Sequence, residues 1–199
     1  FQRGSFALLV GVNSTRLLSV LAFVGYLFFW WVDPFLVDET LPEIRTIRVV
    51  LLGLFATSLG LTWTAWGNRN FIGLGVVVSL LCGGGVTVLT DLTGGVSSPY
   101  WTMIMLTFFG TSLILPLQAR GAAALYLTMT VFYVVWMREA DPDGRVEHWV
   151  TSLAGLVLSG VVSVAGTTFL TVTREREGEA RDVILQMNER LIEEIEERE

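Results

Sequence analysis

The chain has 199 residues, of which 52% are hydrophobic and 16% charged, and its mean hydropathy is +0.60. Apolar residues gathered in long blocks are untypical of a soluble domain, and the net charge of −6 argues against nucleic acid as a partner. A single cysteine, Cys82, excludes a disulfide scaffold within one chain.

Six apolar stretches follow one another, near residues 17–32, 47–66, 71–89, 100–117, 121–137 and 149–172. Most of them approach the roughly 17–25 residues that a helix needs to cross about 30 Å of hydrocarbon. We therefore predict an all-α integral membrane protein, with a six-helix transmembrane bundle over residues 16–173 and a cytoplasmic or interfacial segment before it (residues 1–15). Charged residues are assigned to the ends and connections of the stretches. On that assignment no ionisable group lies inside the bundle, which argues against a pump, a proton-coupled transporter or a voltage sensor.

The charged residues also predict an orientation, because cytoplasmic connections are rich in basic residues. All thirteen basic residues are arginines, and those at 3, 16, 69, 120, 174 and 176 fall on one side. The other side is mainly acidic and receives Asp33 and Arg48 among its charges. We expect both termini in the cytoplasm and the protein in a bacterial cytoplasmic membrane. The chain opens on Phe and stops within a charged helical pattern, so a longer protein is expected.

Residues 174–199 change character and predict a cytoplasmic signalling helix. Ile184 and Leu191 fit heptad position d, and Asn188 and Ile195 fit position a, a pattern typical of a parallel dimeric coiled coil. The same phase continues into the sixth stretch at Gly160, Ser163, Thr167 and Leu170, where small residues would let two helices approach closely. A second ridge of small residues at i+4 spacing contains Gly155, Ser159, Ser163 and Thr167. A homodimer through the sixth span and the coiled coil is therefore predicted. The alternative is a single solvated, charged helix.

The connection DLTGGVSSPYW, residues 91–101, is the most unusual loop. A tight turn explains its composition, because glycine permits positive φ and a serine before proline can cap the next helix. The alternative is a site for an apolar ligand, with backbone N–H groups at the glycines and aromatic faces beyond them. The candidate ligand-binding residues are Gly94, Gly95, Ser98, Pro99, Tyr100, Trp101 and Phe108.

The loop resembles the segment between spans three and four of six-span bacterial sensor histidine kinases. It is similar to the G-G-x-x-N-P-F of the redox-responsive RegB type at Gly94, Gly95 and Pro99, with Tyr100 for the aromatic residue and Ser98 where the family has Asn. The ending of the fourth stretch, Leu115 to Arg120, and the tail phrase NERLIEEIEERE also look like those sensors. The resemblance implies a quinone as ligand, a kinase output domain beyond Glu199 and a response regulator as partner.

The sequence thus favours the membrane sensor or anchor of a dimeric signalling receptor, foremost a two-component sensor histidine kinase. One alternative is the anchor of a nucleotide or diguanylate cyclase, and another is a membrane scaffold or complex subunit without signalling. No nucleophile–base pair and no set of metal ligands is evident, so neither a catalytic nor a metal site is predicted in this segment.

Overall fold

The computed structural model describes residues 2–36, 41–142 and 144–196, although the side chains of residues 2–11, 36, 41, 181, 182, 189 and 192–196 are outside the description. The described residues form seven α-helices and one short 3₁₀ turn at Gly95–Ser97. The helices are α1 (Gln2–Leu36), α2 (Leu41–Leu61), α3 (Ala65–Arg69), α4 (Phe71–Leu92), α5 (Trp101–Ile114), α6 (Ala119–Ala140) and α7 (Val146–Glu196).

Within the described residues, five helices are long and apolar enough to cross a membrane: α1, α2, α4, α6 and α7. They coincide with five of the six predicted stretches. The prediction of an all-helical chain with several helices that could span a membrane is therefore confirmed, whereas a sixth span is not. Helix α5 has 14 residues, or about 21 Å, which falls short of about 30 Å of hydrocarbon.

Large apolar side chains cover the outside of the bundle. Each long helix exposes a row of them, such as Phe28 on α1, Leu54 on α2, Leu127 on α6 and Val161 on α7. A soluble monomer rarely exposes so much contiguous apolar surface. This outer surface supports a multi-pass membrane protein, because hydrocarbon solvates these side chains where water would not.

Helix α4 is the centre of the bundle and packs against α1, α2, α5 and α6. Its glycines allow these neighbours to approach closely. A Cβ atom at Gly83 would lie 1.9 Å from Met129 Cε on α6, and one at Gly85 would lie 2.5 Å from Leu51 Cδ1 on α2. The run GGG in the sequence of α4 therefore serves two packing faces at once.

Helix α5 runs antiparallel to α4 and ends abruptly at Ile114. Leu115 takes an extended conformation ahead of Pro116, and its N–H still donates to Thr111 O at 2.9 Å. In the non-helical segment 115–118, Leu115 and Leu117 are buried and Pro116 is half-buried, whereas Gln118 is exposed just before α6 begins. Proline lacks an N–H and disfavours helix at the residue before it, which explains the stop.

Helix α7 continues without a break from the apolar region into the charged tail, through Gly178. Its small residues do not face outward. Ser159, Ser163 and Thr167 are buried under α5 and α6, and a Cβ at Gly155 would lie 2.8 Å from Trp101 Cζ3. This ridge is occupied within one chain, and the pairing of two copies through the sixth span stays a prediction.

The predicted coiled-coil seam in the tail is exposed where it is described. Ile184, Asn188 and Leu191 all project from α7 without burial in the chain. Ile195 belongs to α7, but its side chain lies outside the described residues. The pairing of two tails stays a prediction.

Candidate functional site: a buried ion pair at the end of a lateral cavity

Two buried stripes on α1 and α2 carry the charged residues of the site. On α1, a stripe at seven-residue spacing contains Val12, Ser19, Tyr26 and Asp33, all buried. On α2, buried positions at helical spacing include Ile44, Arg48, Leu51 and Phe55. Residues spaced by three, four or seven share one helix face. Asp33 and Arg48 are thus buried because each lies on the face of its helix that packs into the core.

Asp33 and Arg48 form a bidentate ion pair in the core. Arg48 Nε donates to Asp33 Oδ2, and Arg48 Nη2 donates to Asp33 Oδ1 at 2.6 Å. The hydroxyl of Tyr100 donates to the same Oδ1 at 2.5 Å. Asp33 is 0% exposed and Arg48 1% exposed. The carboxylate accepts three charge-assisted hydrogen bonds, which offset part of the cost of removing both charges from water.

Aromatic rings surround the guanidinium of Arg48 on three sides. Its Cζ lies 5.5 Å from the ring centroids of Tyr26 and Phe29 and 5.9 Å from that of Tyr100. Such cation–π contacts gain strength where water is excluded. Tyr26 is itself fixed, because its hydroxyl donates to Cys82 O on α4 at 2.9 Å. The cluster therefore joins α1, α2, α4 and the start of α5.

This cluster corrects one prediction. We expected every ionisable group at the ends of the stretches or in the connections, with Asp33 and Arg48 on the outer side. Both lie inside candidate membrane spans, Val12–Phe35 and Pro42–Leu61, and both are buried. The prediction against a pump, a proton-coupled transporter or a voltage sensor assumed that the bundle holds no buried charge. Because the bundle holds a buried ion pair, that assumption is wrong.

A cavity of about 210 Å³ opens beside the ion pair. Helices α1, α4 and α5 form its walls, and Arg48, Tyr26 and Tyr100 form one end. The rest of its surface is mainly apolar, from Leu18 and Ile114 to Leu89. At the rim, Leu21 on α1 is 49% exposed and Leu106 on α5 is 60% exposed. The cavity therefore opens sideways between α1 and α5, toward the lipid in a bilayer.

The loop after α4 is a tight turn, as predicted. Gly94 has a φ of +114° and Gly95 a φ of +61°, values that favour glycine. A Cβ at Gly95 would lie 2.3 Å from Asp141 Oδ2, and the same oxygen accepts from Val96 N at 3.1 Å. Asp141 thus holds the loop against the α6–α7 connection. The glycines serve the turn and this contact.

Ser98 is also used within the loop. Its hydroxyl is buried, lies 2.5 Å from Thr93 Oγ1 and accepts from Tyr100 N at 3.2 Å. The predicted serine cap of the next helix is not found: α5 begins at Trp101, its N-cap residue is Tyr100 without a side-chain cap hydrogen bond, and Ser98 accepts from Tyr100 N one residue before the helix. Pro99 is exposed beside it.

Only Tyr100 of the seven predicted ligand-binding residues lines the cavity. Gly94, Gly95, Ser98 and Pro99 form the turn described above. Trp101 packs on Gly155, and Phe108 stacks on Tyr126 with ring centroids 4.8 Å apart. These two aromatic side chains face α6 and α7, on the side of α5 away from the cavity. The predicted set does not gather into one site.

Three residues of the observed site were missed from the sequence: Tyr26, Asp33 and Arg48. The sequence does indicate them through their spacing on the buried stripes of α1 and α2. Arg48 follows Ile44 by four residues, and Asp33 follows Tyr26 by seven. A group of three or more His, Cys, Asp or Glu side chains placed to hold a metal ion is not found among the described residues.

Comparison of the chain with protein-family models, with curated proteins and with solved structures finds no match. The functional interpretation therefore rests on the residues and geometry described above.

Proposed function

We propose that this chain is the membrane-embedded sensory or anchoring domain of a dimeric signal-transduction receptor, foremost a two-component sensor histidine kinase in a bacterial cytoplasmic membrane. The observation that carries the proposal is the single helix α7. Its 51 residues extend for about 76 Å, more than twice the hydrocarbon thickness. A rigid rod of this length joins the packed bundle to a charged tail, which suits the transmission of a movement to an output domain.

The proposal includes a sixth membrane crossing by α5 and the non-helical segment that follows it. Helix α5 runs from Tyr100, at the Asp33 end of the bundle, to Leu115, which packs on Gly75 near the start of α4. Irregular backbone at membrane depth is tolerated where protein surrounds it, and Leu115 and Leu117 are buried. With six crossings, both termini lie on one side, and the arginine distribution supports the cytoplasm as that side.

The stimulus in this proposal is a quinone or another apolar ligand, or a change in the bilayer. The lateral cavity supports it, because a molecule dissolved in the membrane reaches the rim between Leu21 and Leu106 without passing through water. Binding would shift α4 and α5, and α7 would rotate or slide and change the register of the tails. Such a switch needs two packings that differ by only a few kcal/mol.

Disulfide crosslinking in native membranes tests the dimer and the movement. Cys82 is first replaced by alanine, and cysteine is then placed at Asn188 on the seam or at Gln186 on the opposite face, in the full-length receptor. Position 188 should crosslink two chains efficiently and position 186 poorly, because only the a and d positions of a parallel coiled coil face each other. The yield at position 188 should also differ between signalling states.

Equal yields at positions 186 and 188 would contradict the parallel coiled coil and favour a tail that binds another protein, as in a scaffold. A strong crosslink at position 188 that stays identical in every signalling state would contradict the movement of α7 while leaving the dimer intact.

A further inference from the structure

At the end formed by Arg48, Tyr26 and Tyr100, the lateral cavity has polar groups next to an apolar wall. Of the five N–H bonds of a guanidinium, two are directed at Asp33. Arg48 also interacts with the Tyr100 side chain and lines the cavity, so the N–H groups that remain after these contacts are the donors at this end. The hydroxyl of Tyr26 donates to Cys82 O, and the hydroxyl of Tyr100 donates to Asp33 Oδ1. The site therefore offers hydrogen-bond donors through Arg48.

The charge balance excludes an anion as the best partner. Asp33 already neutralises Arg48 at bidentate distance, so a carboxylate or phosphate entering the cavity would be buried without a counter-charge. A neutral oxygen acceptor, such as a carbonyl, meets the donors of Arg48 without that cost. The hydroxyls of Ser79, Thr107 and Thr111 also line the cavity, but they are hydrogen-bonded to other oxygens of the chain. An acceptor oxygen buried beside them would have to compete with these bonds.

The shape of the cavity adds an apolar body to this acceptor. The lining residues extend from Phe29 to Leu18 on α1 and from Met103 to Ile114 on α5, which is about 16 Å along each helix. Glycines widen the passage: Gly25 and Gly110 both line it, and a Cβ at either would meet nothing within 4 Å. An extended chain therefore fits along the wall, with its polar end at Arg48.

We propose that the cavity between α1, α4 and α5 binds a neutral, lipid-soluble molecule with an oxygen acceptor at one end of an extended apolar chain. The acceptor receives hydrogen bonds from Arg48, and the chain lies along α1 and α5. This inference rests on the cavity that the proposed function assigns to the stimulus and adds the class of its ligand; binding in vesicles is measured without signalling, so a failure of the signalling role leaves it testable.

Photolabelling of the purified chain in phosphatidylcholine vesicles tests the site. The probe is 2-undecanone with a diazirine in its chain, and labelled residues are located by mass spectrometry. Labels are expected on the cavity-lining residues of α1 and α5. Unlabelled 2-undecanone should compete at a bilayer concentration about tenfold lower than undecane or undecanoate, which corresponds to about 1.4 kcal/mol in binding. Equal competition by undecane would overturn the role of the acceptor, and stronger competition by undecanoate would overturn the choice of a neutral ligand.

Glycine substitutions test the location with a matched control. Gly110→Leu places a side chain in the open cavity, and Gly25→Leu does so from the opposite wall. Gly53→Leu on α2 also points into open space but does not line the cavity. Both cavity variants should lose specific labelling by about tenfold or more, and Gly53→Leu should retain it. Retained labelling in folded Gly110→Leu and Gly25→Leu, judged by circular dichroism and elution volume, would overturn the site.

The acceptor contact is tested by the triple variant Asp33→Leu/Arg48→Met/Tyr100→Phe, which removes both charges and also the Tyr100 hydroxyl that would otherwise lose its acceptor and donate to the ketone. Tyr100→Phe alone is the control and should keep the preference for the ketone. In the triple variant 2-undecanone and undecane should compete equally, although labelling persists because the apolar wall is intact. A preserved preference for the ketone would show that Arg48 is not the donor.

Discussion

Removing one partner of the Asp33–Arg48 pair should destabilise the bundle far more than removing both. Arg48→Met leaves a buried carboxylate with only Tyr100 as donor, and Asp33→Leu leaves a buried guanidinium without its counter-ion. Each single change should lower the free energy of unfolding by about 3–5 kcal/mol. The double variant replaces both charges with apolar side chains of similar size. It should cost only about 1–3 kcal/mol, because the Tyr100 hydroxyl then lacks its acceptor.

Unfolding by SDS in mixed micelles, followed by tryptophan fluorescence, measures these free energies. Arg45→Met is the matched control, since Arg45 is exposed and its Cζ lies 5.8 Å from the ring centroid of Trp30. It should cost less than about 1 kcal/mol. If the two single effects simply add in the double variant, the pair is not coupled, and the structural interpretation of the core is wrong.

The remaining predictions concern two glycines with matched controls. Gly95→Ala should lower the free energy of unfolding by about 1–2 kcal/mol, because its φ of +61° disfavours a Cβ and Asp141 occupies the space. Its control is Gly73→Ala, in an open part of α4, which should be neutral or stabilising. Equal effects of the two substitutions would argue against the turn. Gly67→Ala should cost about 1–3 kcal/mol, because its Cβ would lie 1.9 Å from Leu61 O, a backbone atom that no rotamer change can move. Gly60→Ala on α2 meets nothing within 4 Å and should be tolerated, and denaturation in the same micelles compares each pair.

The sequence was sufficient to predict the helices, because apolar blocks of about 20 residues have few other uses. It was insufficient at their ends. Charged residues were used to mark where a span stops, so the second span was expected to begin near residue 47, whereas α2 begins at Leu41. That rule placed Arg48 at the outer end of the second stretch, although it lies about two turns inside α2. The buried stripes of α1 and α2 indicate the opposite, because they place Asp33 and Arg48 on buried helix faces. A charge on a buried face needs a partner on the neighbouring helix.

The candidate site was only partly predictable for a different reason. The loop DLTGGVSSPYW combines residues with two separate duties, and composition does not distinguish them. Gly94, Gly95 and Ser98 form the turn, while Tyr100 reaches back to Asp33, 67 positions earlier in the chain. Which aromatic residue faces the cavity depends on how α5 packs between α1 and α4 on one side and α6 and α7 on the other. That packing depends on contacts far apart in sequence.

Helix α5 is the element through which the cavity can act on α7. One of its faces, with Thr107, Gly110 and Thr111, lines the cavity. The other face carries Trp101 and Phe108, which contact the small residues of α7 and the ring of Tyr126. The Trp101 ring packs close to Gly155, so a displacement of α5 of even a few tenths of an ångström must be taken up by α7 or by repacking. A movement that begins at the cavity therefore has a shorter path to the tail than one that begins at the loop, which Asp141 holds in place.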